Sequence, residues 1–396
     1  MIAVAVLAIM SFSFGAPLVA VVGLKSLASD LGSARSAASL GYSLAWLGAA
    51  TGGIVMSPIA ERVGVRWTAI SGAVMITLGL LLSSGGQAWQ LWVGHGVLIG
   101  LLGIAGMNAP FYVYVTRWFD RHRGTALALI SSGQYIAGVV WPVVFQAAIA
   151  RFGWQRTMVG YGLIEVAVVV PMAAIFLNPP PRTEPRGAMA DRATESRGTV
   201  LGLRPGIACA LISLAAFLCC VPMAMPQAHL VAFCGDLGIA PASGAAMLSL
   251  ALAAAFVSRQ IWGAIADRVG GLRTILAASA CQALAMVAFL LTQNELGLFA
   301  VSAFFGLGFS GIIPAYVLAM RELFPASEAP WRIPIFFLSG GSGMAAGGWI
   351  AGAIYDYAGL YAPAFAVGIA FNLANLAVVG GLVLRDRGPH HRPAFA

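Results

Sequence analysis

Three ionisable side chains in this sequence stand in surroundings that would ordinarily exclude them. Arg259 ends the apolar stretch Leu250-Ala-Leu-Ala-Ala-Ala-Phe-Val-Ser-Arg259 and precedes Asp267 by eight positions. On a helix that separation is about 12 Å, at roughly 1.5 Å per residue. Glu165 interrupts Gly162-Leu-Ile-Glu165-Val-Ala-Val-Val-Val, and His229 follows Pro222 and Pro226 in Cys219-Cys-Val-Pro-Met-Ala-Met-Pro-Gln227-Ala-His229. A guanidinium keeps its charge and presents a planar fork that fits a carboxylate. A carboxyl group or an imidazole in the same setting can take up and release a proton. Anion binding and proton transfer are therefore the chemistries within reach. Enzymatic chemistry is not expected: the sequence has no His-Glu-x-x-His, Gly-x-Ser-x-Gly or Cys-x-x-Cys motif and no Walker-type Gly-Lys-Ser/Thr. Cys209, Cys219, Cys220, Cys234 and Cys281 lack metal-ligand spacing and read as small core residues, so neither a metal nor a cofactor is expected.

A second constellation occurs twice. Pro58-Ile-Ala-Glu61-Arg62-Val-Gly64-Val-Arg66 and Gly263-Ala-Ile-Ala-Asp267-Arg268-Val-Gly270-Gly-Leu-Arg273 share acid–Arg–Val–Gly at an offset of 206 residues (267 − 61). Each copy closes one long apolar run and opens another. The acids can pair with Arg or with the N-terminus of a neighbouring helix, and the glycines permit a tight turn. A bare topology signal would need only the Arg residues, because acids contribute little to orientation. A charged hairpin repeated in two hydrophobic halves implies an internally duplicated membrane protein, and such duplication points to transport.

The elements that must carry these residues follow from hydropathy. Of the 396 residues 60% are hydrophobic and 9% charged, against roughly 25% charged in a soluble domain. Apolar runs fall near 2–27, 38–60, 67–86, 90–116, 124–149, 155–177, 205–233, 241–265, 272–291, 296–320, 332–354 and 361–384. Each is long enough to cross a hydrocarbon core of about 30 Å as a helix, and lipid demands that backbone groups be satisfied within the segment. The expectation is an all-α polytopic membrane protein of twelve transmembrane helices in two six-helix bundles. The first bundle spans 1–177 and the second 205–388. The polar stretch 178–204, rich in Pro and Arg, is a cytoplasmic linker, and 389–396 is a cytoplasmic tail. The opening run lacks a basic n-region and is too long for a signal peptide, so Met1 could lie downstream of the true start.

Arg distribution orients the chain. With both termini cytoplasmic, the outer loops hold Lys25, Arg35, Arg151 and Arg156, Arg259 lies within a run, and the inner loops hold the remaining seventeen of the 22 basic residues. The net charge of +8 thus belongs to loops facing anionic lipid in the cytoplasmic (inner) membrane. No basic patch interleaved with aromatics points to nucleic acid. Nothing in the sequence requires more than a monomer.

Twelve runs in a 6+6 duplication, with acid–Arg–x–Gly loops after the second and eighth, resemble the major facilitator superfamily. Arg117-Trp-Phe119-Asp-Arg121-His-Arg123-Gly-Thr-Ala126-Leu-Ala128, followed by Phe152-Gly-Trp154-Gln-Arg156, resembles the monocarboxylate transporters and the oxalate–formate exchangers. This resemblance implies that Glu61, Arg62, Gly64, Asp267, Arg268 and Gly270 form a cytoplasmic gate, latching helix 2 to helix 11 and helix 8 to helix 5 in the outward-facing state. It also implies that Arg259, matching the exchanger family's Arg of helix 8, contacts the substrate carboxylate. The residues alone leave a buried ion pair or snorkelling to the inner surface as alternatives. The sequence departs from its relatives at the second cation. From Ile333 to Ile354 there is no Lys, Arg or His, and Pro17 is followed by Leu18 where monocarboxylate transporters carry Lys; Lys25, the only Lys, lies at the outer end. One cation favours a single carboxylate over a small dianion.

Asn108, Tyr112, Tyr114, Gln134, Tyr135, Gln227, His229 and Tyr316 are further candidates to line a substrate site, although polar side chains also join membrane helices to one another. His229 and Glu165 are the proton-coupling candidates, His229 with an interfacial role and Glu165 with a structural role as alternatives. Gly340-Gly-Ser-Gly343-Met-Ala-Ala-Gly347-Gly348 is a small-residue face for close helix packing. The expected function is secondary transport of a small organic anion, a monocarboxylate, by alternating access with proton symport. Efflux of amphiphilic compounds and a non-transporting membrane sensor are the alternatives.

Overall fold

A computed structural model describes residues 2–32, 34–118, 127, 129–179, 199–325 and 328–386. Long apolar helices account for almost all of it: α1 Ile2–Val22, α2 Arg35–Val63, α3 Val65–Ser83, α4 Ala88–Val115, α7 Pro205–Asp236, α8 Pro241–Val269, α9 Gly271–Leu291, α10 Glu295–Leu323, α11 Trp331–Ala358 and α12 Ala362–Arg385. The stretch Leu129–Phe176 is two helices, α5 (129–152) and α6 (154–176), divided where Gly153 adopts φ 80° and ψ 163°. Among the described residues the twelve apolar runs thus become twelve long helices, six in each half. Their outward faces carry large apolar side chains into lipid, such as Ile175, Leu284 and Leu291, each more than 60% exposed.

Boundaries depart from the hydropathy runs where local chemistry intervenes. The first span is interrupted at Phe14–Gly15, because Pro17 cannot donate to the Ser13 carbonyl, and a short helix, Leu24–Asp30, continues it. The second helix starts at Arg35 rather than 38. Gly94–Ile104 of α4 is π-helical, which the apolar pattern does not reveal. Phe119–Ala126 and Ala128 of the basic motif, most of the 178–204 linker and the 389–396 tail lie outside the described residues.

The duplication reaches beyond the charged hairpins. Gly64 (φ 96°) joins α2 to α3 and Gly270 (φ 84°) joins α8 to α9. Gly153 joins α5 to α6 and Gly359 (φ 73°) joins α11 to α12, again 206 residues apart (359 − 153). Each turn needs the positive φ that glycine tolerates.

Between the halves, α2 packs on α11 and α5 on α8. The small residues of α11 allow close packing on two sides of that helix, against α2 of the other half and against α7 of its own. A Cβ on Gly341 would lie 2.4 Å from Ala50 Cβ of α2, and one on Gly347 would lie 2.1 Å from the Val221 carbonyl oxygen of α7. Backbones approach this closely only where side chains are absent.

Candidate functional site

The site is built where α4 and α5 of the first half meet α8 of the second. Arg259 leaves α8 after Ser258, whose hydroxyl is bonded to α10 through Ser310 Oγ at 2.6 Å, so the helix is anchored at this level. The guanidinium carbon lies 5.3 Å from the centre of the Tyr135 ring of α5. Tyr112 of α4 is within electrostatic reach of Arg259 and is hydrogen-bonded with Ser131. Tyr135 also lies 6.4 Å from Phe309 of α10. Asn108 sits one turn from Tyr112 on the same face of α4, and Gln134 precedes Tyr135; both are partly exposed and make no hydrogen bond among the described residues.

No carboxylate pairs with Arg259 among the described residues. A cation–π contact is worth roughly 0.5–2 kcal/mol and leaves the positive charge without an acid to neutralise it. The cluster can therefore receive one anion, against an aromatic wall contributed by the opposite half.

The other sequence candidates are placed elsewhere. Gln227 Nε2 donates to the Met223 carbonyl of its own helix at 3.2 Å. Tyr316 is buried within the second half, where its hydroxyl donates to Asn375 Oδ1 at 3.0 Å and Asn375 Nδ2 donates to Ser279 Oγ at 2.9 Å. That chain joins α10, α12 and α9. Tyr114 donates to the Asn178 carbonyl at 2.7 Å. His229 is fully buried: Nε2 lies 2.7 Å from the Gly348 carbonyl oxygen and Nδ1 lies 2.9 Å from the Tyr361 hydroxyl. A carbonyl only accepts, so Nε2 carries a proton, while the Tyr361 hydroxyl can donate to Nδ1 or accept from it; both nitrogens are engaged.

His229 borders a polar lock, at the end of the molecule opposite the acid–Arg loops, that the sequence did not disclose. Arg35, first residue of α2, grips the Asp236 carboxylate at the end of α7 through both guanidinium nitrogens, one at 2.7 Å. The same guanidinium donates to the Tyr361 hydroxyl at 3.1 Å and stacks 3.6 Å over the Tyr355 ring. Lys25 adds a bond to Asp236 at 3.0 Å. Asp356, near the end of α11, accepts from the backbone N–H groups of Arg35 and Ser36 at 2.8 and 2.9 Å, capping α2 from the other half. The distribution of basic residues carries no information about these acids; their positions at the ends of apolar runs are the signal the sequence holds.

At the acid–Arg loops, Glu61 pairs with Arg117 of its own half at 3.4 Å. Arg62, Asp267 and Arg268 are exposed, and Asp267 has no ion pair among the described residues. Glu322, at the end of α10, accepts from the Gly271 N–H at 2.9 Å and so caps α9. A cavity of about 240 Å³ opens beside Glu61, Arg66, Tyr114, Arg117 and Asn178, away from the Arg259 cluster.

Glu165 is buried inside the first half. Its Oε1 lies 2.8 Å from Ser13 Oγ at the α1 interruption, and Oε2 has no hydrogen-bond partner among the described residues.

A sequence profile of the Major Facilitator Superfamily matches residues 1–294 and 212–396. The chain is 27% identical over 290 residues to the MFS-type transporter pynF of Aspergillus niger, covering 71% of this chain and 65% of that protein, so it spans about two-thirds of that relative's length. It is 24% identical over 347 residues to monocarboxylate transporter 13 of Rattus norvegicus, covering 86% and 78%. Among solved structures, the peptide transporter POT superposes with a TM-score of 0.74 at 14% identity, over 97% of this chain and 95% of that one. At that identity the likeness concerns the fold.

Proposed function

The chain belongs to the Major Facilitator Superfamily, and on that footing we propose that it is a secondary carrier for a small organic anion, a monocarboxylate, coupled to protons and working by alternating access. The observation that carries this reading is Arg259: a permanent cation between the halves, set against Tyr135 of the opposite half and paired with no acid among the described residues. An unpaired Arg at this depth carries a penalty of at least about 2.5–3.5 kcal/mol, which an anionic ligand would offset. A single guanidinium matches a single carboxylate, with aromatic rings left to contact the rest of the ligand. The relative named for monocarboxylates covers most of the chain and supports this substrate class.

With the acid–Arg loops facing the cytoplasm, the Arg35–Asp236 lock lies outside, and this arrangement is the inward-facing arm of the cycle. Glu61 and Asp267 would form their cross-bundle latches in the opposite arm, when the cytoplasmic ends close. Both termini are then cytoplasmic. A monomer suffices, because one chain supplies both halves. Uptake of labelled monocarboxylates into proteoliposomes tests the reading. Wild-type protein should accumulate at least one of them, and Arg259→Gln should not, although it folds and reconstitutes normally. Undiminished uptake by Arg259→Gln would remove the residue from the site.

A further inference from the structure

Glu165 is the one acid that is fully buried among the described residues, and its hydrogen bonds allow only one complete arrangement. Ser13 Oγ lies 2.8 Å from Glu165 Oε1 and 3.0 Å from the Ile9 carbonyl oxygen. A hydroxyl has one proton to donate, and a carbonyl can only accept. If Ser13 donates to Ile9, the bond to Glu165 exists only when Glu165 is the donor, a protonated acid. If Glu165 is charged, the Ser13 proton turns toward it and the Ile9 carbonyl loses that partner.

Among the described residues the surroundings supply nothing else for a charge. α1 carries no ionisable side chain from Ile2 to Val22. α4 presents Met107, whose sulfur lies 3.4 Å from Ser13 Oγ. α3 presents Thr77, which donates to the Gly162 carbonyl at 2.8 Å, and α5 presents Trp141, which donates to the Ser11 carbonyl at 2.9 Å. Tyr161, one turn away on α6, is the titratable group within electrostatic reach, and its hydroxyl donates to the Phe12 carbonyl. A buried carboxylate with one hydrogen bond and no cation is strongly disfavoured.

Apart from the Thr77–Gly162 bond, these bonds converge on residues 9–13, the last turn before α1 is interrupted at Phe14–Gly15. There a Cβ on Gly15 would lie 2.2 Å from the Tyr161 oxygen and 2.6 Å from the Trp141 ring, so α1 rests directly on α5 and α6. We propose that Glu165 is a proton-binding site that controls the α1 interruption: the protonated acid completes the Glu165–Ser13–Ile9 chain and holds the turn as seen, and loss of the proton releases it. Because the protonated form fits this arrangement, acid favours it and rising pH depopulates it. This deepens the proton coupling proposed above and separates the proton's site from the anion's.

Hydrogen exchange of the substrate-free, full-length protein in nanodiscs, followed over residues 9–15 at matched intrinsic exchange, tests this. In the wild type, protection of the turn should be high at acidic pH. It should fall about tenfold as pH rises, the weight of one net hydrogen bond. Glu165→Gln, a neutral mimic, should be protected at every pH. Ser13→Ala keeps the acid but cuts the chain, and should exchange rapidly at every pH. A wild-type turn indifferent to pH overturns the proposal. So does either variant keeping the wild-type profile; Ser13→Ala decides the matter if Glu165→Gln does not fold. The readout needs no substrate, so failure of every monocarboxylate to be transported leaves it standing.

Discussion

Asp236→Asn should open the face that Arg35 now closes. Asp236 accepts from both terminal guanidinium nitrogens of Arg35, with side chains only 22% and 11% exposed, so the pair is largely sheltered from water. An exposed pair would contribute roughly 0–1 kcal/mol, whereas a sheltered bidentate one falls nearer the 1.5–3 kcal/mol of charge-assisted hydrogen bonds. Lys25 is 45% exposed and adds little. Asn preserves shape and one acceptor oxygen but removes the charge, so a loss of about 2 kcal/mol is expected. The contact joins the two halves, so the whole loss falls on the closed arrangement. That shifts the equilibrium roughly 30-fold toward opening, since 1.4 kcal/mol is about tenfold. Distances between spin labels on the α1–α2 and α7–α8 loops would report the change. Arg35→Gln should act alike, and the double variant should be little worse than either single one, giving a coupling energy of about 1.5–2 kcal/mol in a double-mutant cycle. Unchanged distances in a folded Asp236→Asn protein, or strict additivity, would refute the lock.

Further expectations concern the anion, the loops and the proton. Arg259→Lys keeps the charge but loses the planar fork, so substrate affinity should fall about tenfold or more while the protein stays folded, read as the concentration dependence of uptake. Asp267→Asn and Glu61→Gln should slow turnover more than they weaken binding and should raise cytoplasmic cysteine labelling; unchanged labelling in both would reduce the loops to topology signals. Uptake should rise as external pH falls, and substrate should alkalinise the medium, because a co-transported proton cancels the roughly 2.3 kcal/mol per 100 mV that opposes inward movement of an anion. Uptake indifferent to pH and protonophore but strictly dependent on internal substrate would mark an exchanger. Gly347→Leu should prevent stable folding, since even a Cβ at that position would collide with the Val221 carbonyl of α7; a well-folded variant on size-exclusion chromatography would contradict the close packing.

What this sequence determined unaided is what one-dimensional patterns can carry. Twenty-residue hydropathy sets the twelve spans, because lipid makes every backbone polar group bond within its own segment. The repeated acid–Arg–Val–Gly marks the two halves and their glycine turns, because a positive φ is a local demand. The depth of Arg259 follows from its spacing to Asp267, because helical rise is constant. Tertiary structure alone decided which residues meet. Arg35 and Asp236 are 201 residues apart and Ser13 and Glu165 are 152 apart, and no local signal couples such positions. The polar candidates were indistinguishable as sequence: His229, Tyr316, Tyr112 and Gln134 are all polar groups in apolar helices. Rotation about each helix axis then turned Tyr112 toward Arg259, buried Tyr316 against Asn375, and committed both nitrogens of His229 to α11 and Tyr361. A polar group in a membrane helix must find a partner somewhere, and only the packing of the twelve helices decides whether that partner is protein, proton or substrate.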